Sequence, residues 1–295
     1  MDRSSALLLR DLISAVIFFP WYSALALPYP VMDRIIILTT ILCKSSKIIA
    51  ESCNFVAKLK GKNDFMSCIL HIDTSTRVCS VALSQDGEVI FSREDLEGPS
   101  HAVSCGVYVE EALSFAESHA IPLDAVAVSK GPGSYTGLRI GVSMAKGVCY
   151  GRKVPLVGLS TLEVLCVPVL LYHDEIEDDA LLVPMIDARR MEVYAAVYDR
   201  ALKPLRPVQA DIVEADTYLE FLEKGPVYFF GDGAAKCAKV ITHPNARFIE
   251  GIHPSARNMA PLAEMAVVRE NFEDVAYFEP YYLKEFVATK SKSLL

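Results

Sequence analysis

The segment Lys130-Gly131-Pro132-Gly133-Ser134-Tyr135-Thr136-Gly137-Leu138-Arg139-Ile140-Gly141 restricts the fold more than any other. Four glycines and a proline lie between an apolar run, Asp124–Ser129, and a helical pattern that continues to about Tyr150. That order dictates strand, tight turn, helix, which places the chain in the α/β class. A glycine turn ahead of a helix N-terminus can cradle an anion through free N–H groups, with Arg139 adding charge. It can equally be a plain turn capped by Ser134 or Thr136. No Gly-Lys-Ser/Thr follows, so it is not a Walker A loop. Gly141, Ala145 and Gly147 keep the helix narrow. Each helical glycine costs about 1 kcal/mol relative to alanine, so close packing or a site is the expected compensation.

The elements before this segment follow from period-two patterning. Ile69–Asp73 is a short apolar strand, Thr74-Ser75-Thr76 a polar turn, and Val78–Ser84 a second strand. Asp86-Gly87 marks a hairpin into a third strand, Glu88–Arg93. A helix is expected from Ser100, as N-cap, to about His119. Its apolar stripe is drawn through Val103, Val107, Leu113 and Ala116, opposite Glu110, Glu111 and Glu117. Val154–Val157 reads as a strand and Thr161–Leu171 as a helix. The acidic stretch 174–179 marks a boundary between two lobes. Beyond it come strands Ala180–Ile186, Glu192–Tyr198 and Pro226–Phe230, with helices near Asp216–Lys224, after Gly233 and near Met259–Asn271. The units are therefore an extension, 1–65, and two lobes, 66–173 and 174–295.

The extension has no charged residue between Asp11 and Asp33, long enough to span a bilayer or serve as a signal core. Pro20, Pro28 and Pro30 interrupt it. Three readings stand: signal or anchor, accessory segment, or an upstream reading of a chain that starts at Met66. The last is the expectation, because Met66 immediately precedes the first clean strand. No membrane association is then expected, and the protein is expected in the cytoplasm.

Charge separates the same parts. Residues 1–65 hold eight basic and five acidic side chains, and the remainder twenty-one and thirty-two. The acidic remainder lacks the basic footprint of a free-standing nucleic-acid binder. The eight cysteines have no metal or redox spacing, and the six histidines are scattered. No H-E-x-x-H or G-x-S-x-G motif occurs. Asp73-Thr74-Ser75-Thr76, after a strand and before a hairpin, matches the phosphate-facing turn of actin-like kinases, and also an ordinary Asx or Ser/Thr turn.

Taken with Ile186-Asp187-Ala188-Arg189-Arg190 and Pro280-Tyr281-Tyr282-Leu283-Lys284, these motifs resemble the TsaB family over about Met66–Lys284. The resemblance implies an actin-like (ASKHA, ribonuclease H-like) fold with two related lobes of mixed sheet flanked by helices. It implies a non-catalytic subunit of the complex that forms N6-threonylcarbamoyladenosine at tRNA position 37. The partners implied are TsaD as heterodimer, TsaE, and tRNA through the complex, with a homodimer as another pairing. In TsaD a His-x-x-x-His pair holds the metal; here Thr161 and Leu165 stand at those positions. Catalytic residues and a resident cofactor are thus not expected, the metal belongs to the partner, and ATP or ADP is allowed for at the partner interface. Val103, Val107, Gly137, Leu138, Gly141 and Ala145 are the expected partner surface. Asp73, Thr74, Ser134, Thr136 and Arg139 are the candidate nucleotide or anion contacts. Two other readings are a stand-alone actin-like ATPase, kinase or glycoprotease-like metallopeptidase, and a membrane-anchored interaction protein.

Overall fold

A computed structural model describes residues 67–96 and 101–284; the 1–65 extension, Met66 and the Ser100 cap lie outside the described residues. The chain opens with β1 (Cys68–Asp73), β2 (Cys79–Gln85) and β3 (Glu88–Asp95), an antiparallel meander. Asp86 and Gly87 both take positive φ, 60° and 81°, the backbone that a two-residue hairpin needs. Then follow α1 (His101–Ser118), β4 (Ala125–Gly131), α2 (Tyr135–Arg152), β5 (Leu156–Ser160) and α3 (Thr161–Tyr172). β4 lies parallel to β1, and β5 parallel to β4, giving the sheet order β3-β2-β1-β4-β5.

The second half repeats this plan. β6 (Leu181–Asp187), β7 (Glu192–Tyr198) and β8 (Pro204–Ile212) form an antiparallel meander. Next come α4 (Leu219–Leu222), β9 (Val227–Phe230), α5 (Ala234–Cys237) and β10 (Ala246–Ile249). β9 and β10 add in parallel beside β6, so this order is β10-β9-β6-β7-β8. The two sheets share one topology and one alternation of strands with helices, the paired-lobe architecture implied by the actin-like resemblance. A short 3-10 helix (Ala256–Met259) and α6 (Ala260–Val268) complete the described elements.

Both faces of the first sheet are covered, which explains why β1, β2 and β4 are buried along nearly their whole length. Leu70, Ile72, Val81, Leu83, Val126 and Val128 pack against α1 and α2. Ile69, Ala82, Ala127 and Val157 pack against the 3-10 helix and α6. Leu162, Leu165 and Cys166 of α3 join Leu182, Ile186 and Phe230 in a further cluster, which ties α3 to the second sheet. Cys68, Cys79, Cys105, Cys149, Cys166 and Cys237 are buried free thiols. Among the described residues no helix is long and apolar enough to cross a membrane.

Two expectations are corrected, and two strands had not been expected. The buried row of α1 is Cys105, Val109, Ala112 and Ala116, whereas Val103 and Val107 are 70% and 46% exposed. Both rows are apolar, so periodicity alone does not choose between them. Residues 256–284, placed with the second lobe, return to the first sheet: α6 packs on it and Glu273 bridges to Leu156. β8 and β10, the edge strands of the second sheet, carry no sequence signal strong enough to be predicted.

Candidate functional site

Asp73 ends β1 with its carboxylate fully buried. One oxygen accepts from the Ser75 amide at 2.9 Å and the Ser75 hydroxyl at 2.7 Å; the other accepts from the Ser129 hydroxyl. Burial pushes the Asp73 carboxyl above its ordinary range, while the Ser129 and Ser75 donors favour the ionised form. Thr74 is also buried, and its hydroxyl donates to the Gly137 carbonyl at 2.7 Å. The polar groups that would face a phosphate are therefore engaged within the protein. Ser129, which sequence reasoning missed, completes this set from the end of β4, where it reads as one more strand residue.

The glycine segment fills the remaining space. The Ser134 amide donates to the Ser75 carbonyl at 2.6 Å. Ser134 caps α2 by accepting from the Gly137 amide at 3.3 Å. A side chain at Gly133 or Gly137 would collide with the Ser75 or Thr74 carbonyl, and one at Gly141 with the Thr74 hydroxyl. The glycines thus let the start of α2 sit directly on the turn after β1. This corrects two expectations. Gly137, Leu138, Gly141 and Ala145 are buried inside the lobe and are not an open surface. Asp73 and Thr74 are enclosed, so of the candidate anion contacts only Ser134, Thr136 and Arg139 are exposed.

The opposite side of α2 is open. A groove of about 720 Å³ runs along α2 and α1, lined by Leu113, Tyr135, Thr136, Arg139, Ile140 and Met144 among others. Val103 and Val107 are the exposed valines of α1. Ile140 and Met144 were missed; their signal was the i, i+4 spacing on the face opposite Leu138, Val142 and Ala145.

The chain end closes over the glycine turn. The Tyr281 amide donates to the Lys130 carbonyl at 2.7 Å, and the rings of Tyr282 and Tyr135 lie 4.6 Å apart. The Arg139 guanidinium sits 5.7 Å from the Tyr135 ring centre. Lys146 donates to the Ala276 and Phe278 carbonyls at 3.0 and 3.1 Å. Lys284 then pairs with Glu192, on the second sheet. Tyr281-Tyr282-Leu283-Lys284 therefore docks back on the body.

Thr161 and Leu165 are fully buried, Leu165 within the apolar cluster around α3. A hydroxyl and an alkyl group there give no imidazole pair for a metal. Among the described residues no group of three His, Cys, Asp or Glu side chains is placed to hold one.

Comparison with known proteins gives the following similarities. Residues 96–291 match the family described as TsaD, tRNA N6-adenosine threonylcarbamoyltransferase. The tRNA threonylcarbamoyladenosine biosynthesis protein TsaB of Escherichia coli is 29% identical over 230 residues, 75% of this chain and 96% of that protein. The Bacillus subtilis protein of the same name is 34% identical over 167 residues, 55% of this chain and 70% of that one. The solved structure of YeaZ from Pseudomonas aeruginosa, 25% identical, superposes with a TM-score of 0.62 over 74% of this chain and all of its own.

Proposed function

The chain belongs to the TsaB family, and from that premise we propose that it is a non-catalytic partner subunit in tRNA threonylcarbamoyladenosine biosynthesis, working in the cytoplasm. In this reading it binds TsaD and holds it in working shape, while TsaD transfers the threonylcarbamoyl group to the adenosine at position 37. TsaE and tRNA join through the pair, and any ATP or ADP sits at the partner interface.

One observation carries the reading. The turn that an actin-like enzyme would use for phosphate is occupied by the protein's own backbone, Thr74 and Ser75 against Gly133 and Gly137. Catalysis at that turn would require these contacts to open. Thr161 and Leu165 supply no metal ligands in place of the expected histidines. The match to the transferase family over 96–291 fits a shared fold without a shared site.

The open face of α1 and α2 is the surface for TsaD. Val103, Val107, Ile140 and Met144 give it an apolar centre, and Thr136 and Arg139 a polar edge. A second copy of the chain would compete for the same face. The deciding experiment is co-purification with TsaD, followed by measurement of threonylcarbamoyladenosine in cells depleted of this protein. Loss of the modification on depletion, restored by the chain only when TsaD is present, is expected. Threonylcarbamoyl transfer by the purified chain alone would overturn the reading.

A further inference from the structure

The β6–β7 hairpin turns through Arg189 and Arg190, with φ of 71° and 50°. Asn and Gly are the residues that adopt such a turn without strain, and arginine has no backbone reason to be there. Strain of this kind persists where the surroundings fix it, and it gathers at functional sites. Here the surroundings do fix it. The Ala188 amide donates to the Glu192 carbonyl at 3.0 Å, and the Glu192 amide to the Arg189 carbonyl at 3.1 Å. The Arg189 amide donates to the Asp187 carboxylate at 2.9 Å. Lys236 reaches in from α5 and donates to the Arg190 and Glu192 carbonyls at 2.8 and 2.6 Å.

The charges at the turn are unevenly matched. Asp187 is paired with Lys236 and Glu192 with Lys284. Asp232 accepts from the Asp187 amide. Both arginines are exposed, and among the described residues neither guanidinium has a hydrogen-bond or ion-pair partner. They stand out on a chain that is acidic from residue 66 onward. The chain end links this turn to the α2 groove, through Lys284 on Glu192 and Tyr282 on Tyr135 beside Arg139.

We propose that the Arg189–Arg190 turn is a contact for the phosphate backbone of the tRNA, two guanidinium groups carried on a backbone held from behind. The proposal rests on the functional reading above, which supplies RNA as the substrate of the complex. A planar guanidinium engages phosphate oxygens in pairs, and a turn held from behind leaves only the two side chains, not the backbone, to be ordered on binding.

The test uses the complex of the full chain with TsaD and measures tRNA affinity over a range of salt concentrations. The double variant Arg189→Asn, Arg190→Gly suits the turn better than the native pair, so its folding is secure. It is expected to assemble with TsaD as wild type does and to melt no lower. It should bind tRNA about tenfold more weakly, with the salt slope shallower by about 1 to 2. Arg189→Lys with Arg190→Lys should keep most of the slope. Unchanged affinity and slope in the Asn-Gly variant would overturn the proposal, as would loss of TsaD assembly, which would make the turn a protein contact. Failure of the wild-type complex to bind tRNA would remove the functional reading, and this assignment with it; wild-type binding that the Asn-Gly substitution leaves unchanged removes the assignment alone.

Discussion

The Thr74 hydroxyl donates to the Gly137 carbonyl at 2.7 Å, joining the turn after β1 to the first turn of α2 across 63 residues of sequence. The contact exists because Gly137 has no side chain to hold the helix away. Gly137→Ala should therefore cost about 3 kcal/mol or more, at or above the usual range for over-packing, because the obstruction is backbone. A fall in melting temperature of about 6–12 °C is expected. Gly147 lies in the same helix with open space around it, and Gly147→Ala should be neutral or stabilise by up to about 1 kcal/mol. Equal melting temperatures for the two variants would refute this account of the glycines.

How far the sequence revealed this arrangement depended on whether one face or two were buried. β7 was legible over its full length, Glu192–Tyr198, because an apolar and aromatic run follows Glu192 and is bounded by the charged stretches Asp187–Arg190 and Asp199-Arg200. β8 was not, because Pro204, Arg206, Pro207 and Gln209 break up its apolar residues on an edge strand that pairs only with β7. The glycine segment was legible as a tight strand-to-helix turn, but not its target. That Gly137 and Gly141 face Thr74 follows from β1 and β4 lying side by side, a long-range pairing absent from local pattern. The return of the chain end to Lys130 has the same origin.

The exposed valines of α1, Val103 and Val107, can change without disturbing the core. Val103→Asp combined with Val107→Asp should leave the melting temperature within about 2 °C of wild type, since substitutions away from the core usually stay within about 0.5 kcal/mol. On the proposed reading the same variant should fail to retain TsaD, because two carboxylates would be desolvated at the proposed partner face. Size-exclusion chromatography of the mixed proteins reads this directly. A normal complex would move the partner surface elsewhere on the molecule.

The second sheet depends on a polar cluster near its edge. Asp211, 8% exposed, pairs with Arg206 and accepts from the Tyr218 hydroxyl at 2.7 Å. The Arg206 guanidinium also lies 4.6 Å from the Tyr218 ring centre. Asp211→Ala strands a mostly buried cation and a buried phenol together, so a loss of about 3–5 kcal/mol is expected. Tyr218→Phe removes one hydrogen bond to a charged acceptor and should cost about 1.5–3 kcal/mol. Chemical denaturation of the two variants checks the order; a milder effect for Asp211→Ala would mean the pair is solvated.

His253 and Glu94 make stability depend on pH where residues after β10 return to the first sheet. The ring nitrogen and the carboxylate lie 3.5 Å apart, and Ser255 and Arg257 also bear on Glu94. Glu94 holds the His253 ring above its ordinary 6.5, against the opposing effect of burial. His253 holds the Glu94 carboxyl below its ordinary 4.5. A raised histidine contributes fully below its unfolded value, and the contribution is lost as pH rises through the folded one. A lowered carboxylate contributes above its unfolded value and loses that as pH falls through the folded one. Both conditions hold together between about pH 4.5 and 6.5, so the pair stabilises most there. Both side chains are about a third exposed, and solvent screening limits the effect to about 1 kcal/mol or less. His253→Gln should then lower the melting temperature by about 2–4 °C or less at pH 6 and leave it unchanged at pH 9. A difference of the same size at both pH values would mean that His253 acts by packing and not by charge.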